Sequence, residues 1–157
     1  MNAYRAKPLT YPWPPLLYVA AILGAVVLRR LAPISVVHSH GWVPWLAGFV
    51  LIALAVFLDI WAMKTLIERG TAVLPHRRSS YLVTCGPFRY TRNPIYLGYT
   101  IMMVGLGLIT VNPWFFIMAS ASVAVTTAFA IRNEELHLLS RFGFEFERYC
   151  RATSRWI

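Results

Sequence analysis

The chain has 157 residues, 58% of them hydrophobic and 13% charged, with a formal net charge of +9 and a mean hydropathy of +0.56. A soluble domain of this size carries about 25% charged residues, so the deficit argues against a water-soluble enzyme and for a protein built in lipid. The positive excess does not mark a nucleic-acid partner, because the arginines are scattered at the ends of apolar runs with no hydrophilic domain to hold them. It suits short cytoplasmic loops facing anionic membrane lipids.

In chain order, Pro8, Pro12, Pro14 and Pro15 interrupt the N-terminal stretch, which argues against a cleavable signal there. The first apolar run, Pro15 to Leu28, is closed by Arg29 and Arg30. At about 1.5 Å per residue it is short for a 30 Å core, so it must borrow flanking residues, tilt or re-enter. "LAPISVVHSHG" is a loop with Pro33 and Gly41 as breakers; its His38 and His40 show no metal-ligand spacing. The second span runs from Trp42 to Met63 and ends at Lys64. Asp59 sits about one turn inside its end, where local pairing with Lys64 or Arg92 is expected.

From Asn93 to Ile131 no charged residue appears, and Asn112-Pro113 divides the run. Proline is disfavoured inside a helix and accepted in its first turn. The pattern predicts a hairpin over about 94–131: one helix from Pro94 to about Val111, a tight turn, and a second helix from Pro113 to Ile131. The tail "EELHLLSRFGFEFERYC" spaces Leu138, Phe142, Phe146 and Tyr149 three or four apart, with Gly143 as a break or bend. It predicts a last span running out into the cytoplasm, then an amphipathic helix folding back on the surface or on the bundle mouth. The expectation is therefore an all-α polytopic membrane protein of about four spans, forming one domain over 1–157.

Orientation follows from the arginines. The connection from Lys64 to Arg92 carries Lys64, Arg69, Arg77, Arg78, Arg89 and Arg92 against Glu68 alone, and the tail adds Arg132, Arg141, Arg148, Arg151 and Arg155. Both segments read as cytoplasmic, as do both termini. Arg29 and Arg30 then fall on the far side, against the trend. Cys85 and Cys150 fall in the cytoplasmic segments without a ligand pattern and read as reduced thiols.

A hairpin brings its ends together, so Arg92, Asn93 and Tyr96 should neighbour Arg132, Glu134 and Glu135. Each has two readings. Asn93 before Pro94 is a helix N-cap, and the same helix end can hold an anion. Arg89 and Arg92 are topology charges or ligand contacts. Tyr90, Tyr96 and Tyr99 are interfacial aromatics or pocket walls. Glu134 and Glu135 pair with Arg132 or Arg92, or serve chemistry.

"LVTCGPFRYTRNPIYLG", an uncharged hairpin and then "RNEELHLLSRFGFEFERYCRATSRW" together resemble the isoprenylcysteine carboxyl methyltransferases, in particular their short bacterial members, and the related phospholipid methyltransferases. The resemblance covers Leu82 to Trp156. It implies an integral enzyme of the bacterial inner (cytoplasmic) membrane that uses S-adenosylmethionine without a Rossmann domain, on a lipophilic acceptor entering from the bilayer. It nominates Gly86, Pro87, Tyr90, Arg92, Asn93, Pro94, Tyr96, Glu134, Glu135, Tyr149, Arg155 and Trp156 for the cofactor site, with Arg92, Glu134 and Glu135 nearest the chemistry. Asn93 replaces the histidine of the eukaryotic prenylcysteine enzymes, and the tail lacks the Val-Pro that commonly precedes Arg-Trp. Prenylcysteine-like carboxylate, lipid amine and hydrophobic thiol stay open as acceptors. A four-helix transporter or structural membrane protein is the alternative; it would place polar groups at mid-membrane depth, whereas here they gather at one face.

Overall fold

A computed structural model describes residues 13–34, 42–70 and 81–157. Pro8, Pro12, His38, His40, Arg77 and Arg78 lie outside the described residues. Those described are helix and connection, without a strand. Helices α1 (Trp13–Leu31) and α2 (Trp42–Glu68) are followed by a single 3-10 turn (Gly86–Arg89), then α3 (Pro94–Thr110) and α4 (Trp114–Val125). A π-helical stretch (Thr126–Ile131) leads without interruption into α5 (Arg132–Phe142), and α6 (Phe144–Ala152) completes the chain. Three helical stretches are long and apolar enough to cross a membrane, Trp13–Leu31, Trp42–Glu68 and Trp114–Phe142, and Pro94–Thr110 is a shorter apolar one.

The first span does borrow its flanks, reaching 19 residues or about 28 Å. Its last turn carries Arg29 and Arg30, and the Arg29 guanidinium donates to the carbonyl of Thr110 at 2.6 Å. A cation at the C-terminal end of α3 meets the negative end of that helix. This local role accounts for basic residues on the side away from the other arginines.

The hairpin forms where the uncharged run divides. Val111 closes α3 in the left-handed region, φ 47°. Asn112, only 1% exposed, donates from Nδ2 to the Ala25 carbonyl at 3.0 Å and accepts the Trp114 amide on Oδ1 at 3.2 Å. The Trp114 indole reaches the Ala32 carbonyl at 2.8 Å. α1 is thereby tied to the turn, and its Tyr18, Ala21 and Ala25 pack with Met103 of α3 and with Phe115 and Ala119 of α4 as the apolar core.

α2 lies against the opposite side of α3. A Cβ on Gly48 would stand 2.7 Å from the Gly105 carbonyl oxygen, and one on Gly105 would stand 2.8 Å from that of Gly48. Only glycine at both positions allows this backbone approach, the usual device where lipid offers no hydrophobic drive for association. α1 and α2 both reach α3 but make little contact with each other.

In the tail, Gly143 takes φ +50° and breaks the predicted stripe into two helices. Phe146 and Tyr149 of α6 are buried, Leu138 and Phe142 only partly so, and the acidic and basic residues of α6 face outward.

Candidate cofactor site at the hairpin mouth

Three segments meet where the hairpin opens: the connection Gly86–Asn93, the α4–α5 rod, and the tail from α6 onward. The tail is laced to the connection mainly through backbone groups. The Arg92 amide donates to the Ser154 carbonyl at 3.0 Å. Asn93 Nδ2 donates to the Arg155 carbonyl at 2.9 Å, the Thr91 hydroxyl to the same carbonyl at 3.3 Å, and the Thr153 hydroxyl to the Arg89 carbonyl at 3.3 Å. The Tyr149 hydroxyl donates to the Phe88 carbonyl at 2.6 Å; burial raises its pKa, so this donor stays protonated.

These ties bring the charged side chains into register. Arg155 grips Glu135 with two parallel bonds, Nε to Oε1 at 2.9 Å and Nη2 to Oε2 at 2.6 Å. Arg92 Nη1 stands 3.1 Å from Glu135 Oε1 and also donates to the Cys150 thiol. Bidentate pairing fixes orientation as well as distance. The hydrogen bonds from Glu135 raise the Arg155 pKa further above its ordinary value. Side-chain exposure is 14% for Arg92, 19% for Glu135 and 40% for Arg155, and Arg92 Nε is buried without a partner. Two arginines on one carboxylate leave a surplus positive charge facing the cavity. Tyr96 donates to Glu134 Oε1 at 2.6 Å one turn inside the membrane.

Beside this cluster lies a cavity of about 820 Å³, lined by Arg132, Glu135, Arg151 and Arg155, by Leu136, Leu139 and Phe146, and by Thr127 and Cys150. Its size falls within the range of small-ligand sites. The π stretch precedes it directly and sets the facing of α5 onto it. Thr127 of that stretch accepts the Trp156 indole at 3.2 Å.

Of the residues nominated from sequence, Arg92, Asn93, Tyr96, Glu134, Glu135, Tyr149, Arg155 and Trp156 gather around this mouth. Pro94 is buried at the first position of α3. Asn93 occupies the N-cap position but makes no side-chain cap bond; its amide serves the tail instead. Gly86, at φ +60°, and Pro87 face α2, where a Cβ on Gly86 would stand 2.8 Å from the Thr65 hydroxyl. They shape the connection rather than line the cavity. Tyr90 is 67% exposed and turns toward Trp61, away from the cluster. Asp59 does not pair as expected. Lys64 reaches Glu68 at 3.8 Å, Arg92 is engaged with Glu135, and Asp59 Oδ1 is buried with no hydrogen-bond partner. Sequence reasoning missed Thr91, Thr127, Leu136, Leu139 and the placement of Cys150. The first two carry no charge or motif, and the others looked like ordinary parts of an apolar stripe.

Residues 43–145 match the model of the phospholipid methyltransferase family. The chain belongs to that family. Relative to the resemblance over Leu82–Trp156, the match extends into α2 and stops before Tyr149, Arg155 and Trp156. Over 77 residues the chain is 38% identical to the nickel-cobalt-cadmium resistance protein NccN of Alcaligenes xylosoxydans xylosoxydans, a stretch covering 49% of this chain and 36% of that protein. The chain thus spans about a third of that relative's length. No solved structure matches.

Proposed function

We propose that this family member transfers a methyl group from S-adenosylmethionine to a lipophilic acceptor, at the cytoplasmic face of a bacterial inner membrane, with both termini on that side. The observation that carries the reading is the Arg92–Glu135–Arg155 cluster on the wall of a cavity large enough for the cofactor.

The donor set suits that molecule. Its carboxylate calls for arginine, and Arg92, with a buried unpaired Nε, and Arg155 supply it. Its ammonium and ribose call for carboxylate, supplied by Glu135. Its adenine calls for apolar contact, supplied by Leu136, Leu139 and Phe146. When bound, the cofactor supplies an electrophilic methyl group on a sulfonium. The chain's own residues would bind, orient and exclude water: Glu135 holds both arginines in place, and α6 with the Arg155–Trp156 segment roofs the cavity. In-line transfer gains most from such alignment and desolvation. An anionic acceptor needs no base, whereas an amine must lose a proton, and the buried Glu134 is the carboxylate closest to hand.

Calorimetric titration of the detergent-purified protein with S-adenosylmethionine and with S-adenosylhomocysteine tests the reading. Saturable binding of both is expected; binding of neither would overturn it. The transporter alternative gains no support from the α3–α4 hairpin, whose ionisable side chains gather at the mouth. Labelling intact cells with an impermeant thiol reagent tests the orientation: Cys85 and Cys150 are expected to be protected, and modification of either would reverse it.

A further inference from the structure

Asp59 is left over by this mechanism, and its surroundings are unusual. It is a carboxylate on a membrane-spanning helix, 8% exposed, with Oδ1 buried and unpartnered. The cations nearest in sequence and motif are committed elsewhere, Lys64 to Glu68 and Arg92 to Glu135. The facing position on α3 is Gly98, where a Cβ would overlap the carboxylate group itself. The missing side chain leaves the space Asp59 occupies. Tyr99, next along α3, lies within electrostatic range of Asp59 and packs its ring at 5.4 Å from that of Tyr18 on α1.

α1 and α2 flank α3 while making little contact with each other. The seam between them is apolar over most of its length. Near the cytoplasmic end it acquires Tyr18 on one wall, Asp59 on the other and Tyr99 on the floor. Gly98 and Tyr99 lie within about 8 Å along the helix axis of Pro94, so this polar spot sits at the depth of the Tyr96–Glu134 bond, one turn below the cavity.

We infer that this seam receives the head of the acceptor and that Asp59 determines its class: a membrane amphiphile bearing a protonatable amine. The inference rests on the methyltransferase reading for its role but on Asp59 for its chemistry. An unpaired carboxylate in an apolar setting is costly, and an alkylammonium compensates it while the chain's apolar tail lies along the seam. A carboxylate acceptor would meet uncompensated negative charge, and a thiol would leave Asp59 without a partner. Asp59 is thus a specificity-determining residue, distinct from the arginine–glutamate cluster.

The test is equilibrium dialysis of radiolabelled dodecylamine and dodecanoic acid against the detergent-solubilised full chain without adenosylmethionine, corrected with protein-free micelles. One saturable amine site is expected, with at least tenfold weaker binding of the acid. Asp59→Asn, which keeps size and shape, should weaken amine binding at least tenfold while S-adenosylmethionine titrates as in the parent. Gly98→Ala should do the same by displacing the carboxylate, with size-exclusion chromatography confirming that it stays folded. Equal binding of amine and acid, or undiminished amine binding in Asp59→Asn, would overturn the inference. Amine binding without any cofactor binding would instead remove the methyltransferase reading and leave the seam site standing.

Discussion

The two ends of the α3–α4 hairpin are built from similar residue types and do opposite things. At the turn, Arg29, Asn112 and Trp114 all direct their side chains to backbone carbonyls, of Thr110, Ala25 and Ala32. Every polar group there closes the structure. At the mouth, Arg92, Arg155, Glu135, Tyr96 and Glu134 pair with one another, border a large cavity, and leave Arg92 Nε without a partner. Polar groups that complete the backbone are structural. Polar groups that hold each other at a cavity wall remain available to a ligand.

The sharpest way to break this contrast is to remove the roof of the mouth. Ending the chain after Phe142 deletes Phe146, Tyr149 and Arg155 and every tie to the Gly86–Asn93 connection, and is expected to abolish S-adenosylmethionine binding while the spans still insert. Titration of full-length and truncated protein, both checked for monodispersity, decides it; equal binding would place the pocket elsewhere. Next in size are Arg92→Ala and Glu135→Ala. Each removes a charge-assisted contact of about 1.5–3 kcal/mol and should weaken cofactor binding more than tenfold in the same titration. Unchanged binding in both would reduce these residues to topology charges.

Asn112→Ala is the counterpart at the turn. It strips the Ala25 carbonyl and the Trp114 amide of a partner and should cost about 1 kcal/mol of stability, read as a lowered thermal midpoint, with cofactor affinity unaltered. A loss of affinity comparable to that of Glu135→Ala would erase the distinction between the two ends. The smallest expected effect concerns Cys150. Burial raises its thiol pKa, against the lowering influence of Arg92, so the reactive thiolate forms only above the ordinary value of about 8.5. In a Cys85→Ser background, iodoacetamide should modify Cys150 slowly at neutral pH and faster as pH rises past that value, and S-adenosylmethionine should slow it at every pH. Rapid modification at neutral pH would mean that α6 does not shield the cavity.

Much of this was written in the sequence because it depends on local rules. An uncharged run too long for one helix, split by Asn112-Pro113, has to fold as a hairpin, since a proline and an asparagine have favourable places at a turn and few inside a span. Gly143 in the tail likewise announces a break, because its backbone adopts a conformation closed to other residues. Topology alone then places Arg92 near Glu135. What required the tertiary structure is the choice of partner. Asn93 reads locally as a helix cap, yet its amide goes to a tail carbonyl 62 residues away. Asp59 reads as a half of an ion pair, yet α2 turns it toward Gly98 and no cation follows. Arg155, remote from Glu135 in sequence, becomes its bidentate partner because the α6 break, the π stretch and the connection together set the facing of three segments. Periodicity and charge determine which elements exist and on which side they lie. The direction in which each buried polar side chain points is decided by competition among distant donors and acceptors, and that competition is settled only when the helices have packed.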